Sequence, residues 1–284
     1  MFQQILESRI IQARNPICFG MDPILEKIPV EGTPEEKIRS FYLKILDELD
    51  RQNIYPAAAK PNIAFYEAIS LEALWVLKQL ITSYQERGIL VILDAKRGDI
   101  GKTSAAYASA VFNNFSADAV TVNPYMGSDS VLPFLNYDVH KGVYGLMRTS
   151  NQGAQDFQDL ILQDKTPLYQ KVGEQFCAWD NGSMGAVVGA TNPGELEEIT
   201  AFFENKKHPI PFLIPGISVK GVSGGQGGSL SEVLQALKNG GAKNNWHLIN
   251  SSSGLNYAYE AKPHLSYAKA CVEALQELSE EAEN

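Results

Sequence analysis

Cysteine is scarce in this chain: Cys18, Cys177 and Cys271 are the only three in 284 residues. They are odd in number, far apart and without a Cys-x-x-Cys spacing, which excludes a disulfide framework or a thiolate metal knuckle. The four histidines (His140, His208, His247 and His264) are equally dispersed. None has a second His or Cys at a ligand spacing, so no metal site is readable. No apolar run reaches the roughly 18 residues of a membrane-spanning helix, and the polar stretch Met1–Asn15 lacks a signal-peptide profile. Positive charge is short too, with 24 Lys and Arg against 33 Asp and Glu and a formal net charge of −9. That balance argues against nucleic acid or an anionic membrane as the main partner, but not against a small anionic substrate, which answers to local charge. The expected location is the cytoplasm.

A hydrophobic content of 44% is enough for a large core. Apolar runs bounded by turn signals recur along the chain. After an amphipathic N-terminal helix over residues 1–14, strands are expected at 16–21, 57–60, 89–96, 119–123, 142–149, 185–190, 211–217 and 246–250. Helical patterns separate them, opened by signals such as Thr33-Pro34-Glu35-Glu36, an N-cap followed by Pro and early acids. The last helix is expected over 263–278, with an acidic tail at 279–284 that frays. No Pro-, Ser- or charge-rich linker interrupts the alternation. Residues 1–284 therefore read as one α/β domain, a (β/α)8 barrel with an extra N-terminal helix, a fold that commonly uses about 250 residues.

The stretch that carries the most chemistry is Asp94-Ala95-Lys96-Arg97-Gly98-Asp99. The run before it, Ile89-Leu90-Val91-Ile92-Leu93, is that of a parallel strand buried on both faces. Side chains alternate along a strand, so Asp94 and Lys96 should share a side. Desolvating several ionisable groups at a strand mouth is costly, which favours a charged site over a salt bridge that merely closes the strand. Other polar residues fall at the same places. Asp22, Lys60, Asn123, Thr149, a glycine-rich run from Ser218 to Gly228 and the turn Ser251–Gly254 all follow strands, where barrel active sites lie. Singly, each has a plainer reading: Asp22 as a strand-end cap, Lys60 as a solvated strand end, Ser130 as a helix N-terminal residue, the glycines as mere flexibility.

Taken as an ordered set, these residues resemble orotidine 5'-phosphate decarboxylases, specifically the longer bacterial subgroup. The set is Phe19-Gly20-Met21-Asp22-Pro23, Lys60-Pro61-Asn62, Asp94-x-Lys96-x-x-Asp99, Asn123-Pro124-Tyr125-Met126-Gly127-Ser128-Asp129-Ser130, Thr149-Ser150-Asn151 and Gly225-Gln226-Gly227-Gly228. The resemblance implies loss of CO2 from orotidine 5'-monophosphate (OMP) to give UMP, without metal or organic cofactor. It implies that Lys96 stabilises and then protonates the C6 carbanion within a network of Asp94, Asp99 and Lys60. Asp22 would bind a ribose hydroxyl, Ser130 the pyrimidine amide edge, and Gln226 base and phosphate from a closing loop. Asp99 and Thr103 would reach into the neighbouring subunit's site, making the protein a homodimer.

Two departures from the family pattern stand out. Asn250-Ser251-Ser252-Ser253-Gly254 carries serine where the family usually has a phosphate-gripping arginine, and the stretch 215–226 is longer than expected. The Ser253 hydroxyl and the backbone N–H groups of Ser253 and Gly254 are candidates for the phosphate, and Lys220 in the longer loop is a candidate for the missing charge. Alternatives are a Mg2+-dependent sugar-phosphate lyase of the same barrel type, against which the lack of His or Glu at other strand ends counts, and a nucleotide-binding pseudoenzyme, for which Ser253 is the one support.

Overall fold

The computed structural model describes residues 1–283. Eight parallel strands close into a barrel in sequence order. They are β1 Ile17–Met21, β2 Ala58–Pro61, β3 Leu90–Arg97, β4 Ala119–Val122, β5 Gly142–Arg148, β6 Met184–Val188, β7 Phe212–Pro215 and β8 Leu248–Ser251. The helices are α1 Phe2–Ala13, α2 Pro34–Gln52, α3 Ile63–Glu67, α4 Leu71–Gln85, α5 Gly101–Ser109, α6 Ser128–Leu135, α7 Leu168–Trp179, α8 Pro193–Asn205, α9 Leu230–Asn239, α10 Ser253–Asn256 and α11 Tyr267–Glu283. The expected barrel with an extra N-terminal helix is what forms.

The helix signals act as the sequence suggests. Thr33 accepts the Glu36 N–H while Glu36 reaches back to the Thr33 N–H, a capping box ahead of Pro34 at the first helical position. Two short helices go beyond the expected pattern. In α3, Asn62 directly after β2 accepts the Ala64 N–H and starts a single extra turn. In α10, the expected Ser251–Gly254 turn winds into a helical turn whose Asn256 amide donates to the Gly20 and Ser252 carbonyls. The last helix begins at Tyr267 rather than 263 and continues to Glu283, so residues 279–283 are helical, carried by the buried stripe Ala268, Cys271, Val272, Leu275 and Leu278. Asn284 lies outside the described residues.

The core has two layers. Between strands and helices lies a large apolar shell that includes Phe41, Tyr42, Leu77, Phe134, Phe176 and Phe203. Inside the barrel a smaller cluster, with Cys18, Ala58, Leu90, Ile92, Tyr144, Val187, Leu213 and Leu248, fills the lower half. α1 plugs the bottom: Phe2 and Leu6 join the inner cluster, the Phe2 ring packs edge-on against Tyr144, and the Phe2 N–H donates to the Val139 carbonyl at 2.8 Å. Gly142 makes room for the plug, since a Cβ there would collide with the Phe2 ring. The bottom is thus sealed by packing, and the polar residues are left to the top, where the strands end. Phe2→Ala is expected to cost about 3–5 kcal/mol in urea unfolding, as for other buried Phe truncations. A loss below about 1 kcal/mol would show that α1 is not part of the cooperative core.

Candidate active site

Asp94 is the centre of the site. It is almost fully buried at the top of β3 and accepts from three neighbours. Lys60 Nζ, from the end of β2, lies 3.0 Å from Oδ2. Lys96 Nζ lies 2.7 Å from Oδ1 and 2.8 Å from Oδ2. Thr121 Oγ1, from β4, donates to Oδ1 at 2.7 Å. Burial alone would raise the Asp94 carboxyl, but the charges of Lys60 and Lys96 and the hydrogen bonds from Lys96 and Thr121 outweigh it and hold it well below the ordinary range. Burial would likewise lower Lys60, yet the charges of Asp94 and Asp22 prevail and hold its ammonium above the usual lysine value.

Asp94 and Lys96 do face one another, but not by simple strand alternation. Between Leu93 and Arg97 the pairing to β4 slips: Leu93 faces Val120, and Arg97 faces Val122. The extra residues bulge out, and Lys96 takes a left-handed backbone with φ of 44°. Thr121 sits opposite the bulge. Its Oγ1 accepts the Ala95 and Lys96 N–H groups at 3.1 and 3.0 Å, replacing the ladder bonds that the slip removes, while its proton goes to Asp94. The Lys96 side chain is about half exposed, at 49%, and faces open space rather than packing.

That space is a cavity of about 510 Å3 over the strand ends. Of the residues singled out in the sequence, Asp22, Lys60, Asp94, Lys96, Thr149, Gln226, Ser252 and Ser253 line it, at the ends of β1, β2, β3, β5, β7 and β8. Asp22 Oδ1 is buried without a hydrogen-bond partner on the wall, an acceptor left for a donor from within the cavity. Asp99, Thr103, Ser130 and Gly254 do not line it. Asp99 accepts from its own Ile100 N–H and touches neither lysine, so the expected Asp94–Lys96–Asp99 network does not assemble within one chain. Ser130 is fully buried, and its hydroxyl donates to the Asn123 carbonyl at 2.9 Å. Lys220 is exposed and off the wall.

The sequence reading missed Thr121, whose signal was a hydroxyl on an inward-facing strand position among Val and Ala. It also missed Tyr257 and gave no role to Asn250 and Ser252, which line the cavity beside Ser253. The Asn250 Oδ1 is buried and unpartnered. The Tyr257 hydroxyl donates to the Asp22 carbonyl and accepts the Ile24 N–H, fixing the β1 loop. Among the described residues, no three His, Cys, Asp or Glu side chains gather where they could hold a metal ion.

A closed parallel barrel with a charged cavity at its C-terminal face has the architecture of a (β/α)8 enzyme. Residues 16–243 match the model of the orotidine 5'-phosphate decarboxylase / HUMPS family. The chain is 42% identical over 281 residues to the orotidine 5'-phosphate decarboxylase of Christiangramia forsetii, covering 97% of this chain and 96% of that one. It superposes on the OMP decarboxylase structure from Leishmania donovani with a TM-score of 0.76 at 35% identity, covering 98% of each chain. It also matches the Leishmania donovani UMP synthase (TM-score 0.77, 36% identity), aligning over 96% of this chain while spanning only 56% of that longer one. The chain belongs to the orotidine 5'-phosphate decarboxylase / HUMPS family.

The Asp94 pairing gives a signed pH dependence. A carboxylate held below its unfolded value, near 3.8, contributes stability that is fully present above that value and is lost as the pH falls through the folded one. Asp94→Asn is expected to cost about 3–5 kcal/mol at pH 7, because it leaves Lys60 buried beside a neutral amide. The gap from wild type should narrow below the ordinary carboxylate range. Urea titrations at several pH values check this; a gap that widened on acidification would contradict the charge assignment.

Proposed function

We propose that this chain decarboxylates OMP to UMP. The observation that carries the reading is the Lys60–Asp94–Lys96 cluster on the wall of the cavity, in a chain whose full-length relatives are named for that reaction. Loss of CO2 from C6 leaves an electron pair in an in-plane orbital that the pyrimidine ring does not delocalise. A fixed cation at that point stabilises the developing charge, and a preorganised donor of this kind is worth about 3 kcal/mol in the transition state. Lys96 is the cation whose side chain is free to meet the ring, and as the nearest acid it delivers the proton to C6. Asp94, its oxygens taken by two ammoniums and a hydroxyl, acts chiefly by holding Lys96 in place. Asp22 and Lys60 take the ribose. The hydroxyls of Ser252 and Ser253, the backbone of the glycine-rich loop and Gln226 take the phosphate at the far end of the cavity, in place of the family's arginine.

The same reading makes the protein a cytoplasmic homodimer. Asp99 and Thr103 stand outside their own cavity, on the loop and helix after β3. Beside them Ile100 is 54% exposed, and Tyr125, on the loop after β4, is 80% exposed with its ring against the exposed Phe157. A second copy covering this apolar rim would carry Asp99 and Thr103 into the neighbouring site. A Mg2+-dependent sugar-phosphate lyase is disfavoured by the donor set, since a divalent ion at Asp94 would have to displace two ammonium groups.

Lys96→Ala should abolish loss of the orotate absorbance while leaving the fold intact by circular dichroism. Turnover within about tenfold of wild type would refute the mechanism. Mixing inactive Lys96→Ala with inactive Asp99→Ala protein, after dissociation and reassociation, should restore about a quarter of wild-type activity, because half the dimers are mixed and each of those has one intact site. No recovery would show that Asp99 acts within its own chain.

A further inference from the structure

The loop joining β7 to α9 is zipped at its base. Ser218 N–H donates to the Gly228 carbonyl at 2.9 Å, Gly228 N–H to the Gly216 carbonyl at 3.0 Å, and Gly227 N–H to Ser218 Oγ at 2.6 Å. Beyond that base, Ser223 ties the loop to the rest of the molecule. Its N–H and hydroxyl both donate to Glu260 Oε2, at 3.0 and 2.9 Å, and its oxygen accepts from Lys27 Nζ at 2.6 Å. Lys27 in turn pairs with Glu260 Oε1 at 2.8 Å and lies over the Tyr257 ring. The segments that carry the two partners are also tied to each other. Tyr259 Oη donates to the Lys27 carbonyl at 2.6 Å, and Tyr257 clamps the same β1 loop through Asp22 and Ile24. The residues directly after Ser223, namely Gly224, Gly225 and Gln226, line the cavity.

We infer that Lys27 and Glu260 form a latch that holds the glycine-rich loop over the cavity through Ser223 and so places Gln226 at its wall. Lys27, Glu260 and Ser223 are positioning residues: none touches the cavity, and they act through Gly224–Gln226. This inference rests on the reading of the cavity as the OMP site only for its kinetic consequence.

Lys220 lies exposed three residues before Ser223, which gives a direct probe in the form of tryptic cleavage after Lys220 in ligand-free protein. Ser223→Ala, Lys27→Met and Glu260→Gln should each speed that cleavage about tenfold or more, since proteolysis follows the open population. The same variants should raise the KM for OMP about tenfold while leaving kcat within about twofold, and Lys27→Arg should restore both readouts. Cleavage after Lys220 at the wild-type rate in Ser223→Ala would overturn the latch whatever the kinetics. So would a fall in kcat at unchanged KM, which would mean that the residues act elsewhere. Wild-type protein without OMP turnover would defeat the functional reading alone, because the cleavage comparison still decides the latch.

Discussion

One buried carboxylate, Asp94, sets the terms for the top of this barrel. It sits where desolvation would favour its neutral form, and it stays charged because two ammoniums and a hydroxyl surround it. The dependence runs both ways. Lys60 is buried with Asp94 as its ion-pair partner, and removing either leaves a charge in low dielectric. To bring the second ammonium round, β3 bulges and Lys96 accepts a left-handed backbone, a conformation that costs a non-glycine residue about 1–2 kcal/mol. Thr121 offsets that strain by capping the two N–H groups that the bulge frees. A strained residue held by its surroundings at the wall of a cavity is the pattern expected where geometry serves chemistry.

The barrel supports this arrangement by dividing labour between its ends. The lower end is sealed with apolar side chains and the α1 plug, so the closed sheet is rigid beneath the charges. The upper end is built from residues on all eight strands or the loops that follow them. One side of the cavity is charged; the other is made of hydroxyls, glycines and Gln226. That asymmetry suits a ligand with a reacting ring at one end and an anionic group at the other.

The order of strands and helices was legible because parallel strands are continuous apolar runs and the intervening helices carry caps. The charged residues at strand mouths were legible for the opposite reason, since packing alone would not choose them. The bulge was not legible. Asp94-x-Lys96 reads the same whether β3 stays regular or slips, and the slip depends on a hydroxyl 25 residues on from Lys96 in a neighbouring strand. α10 was missed because Ser-Ser-Ser-Gly carries turn chemistry, and the turn is wound by the Asn256 amide reaching across to Gly20. Lys27 and Glu260 gave no sign of a role, being surface charges 233 residues apart. Asp99 and Thr103 could be named from their motif, but a single chain leaves them outside the cavity.

The central claim is that the Lys96 ammonium stabilises negative charge at C6 and exchanges a proton with it. The most direct test is the exchange of the C6 hydrogen of UMP for deuterium in D2O, followed by proton NMR. Wild-type protein should catalyse this exchange, because it is the product side of the same carbanion step, and Lys96→Ala should fall to the rate without enzyme. Exchange that persists in Lys96→Ala would show that another group handles the proton, and would contradict the role assigned to Lys96.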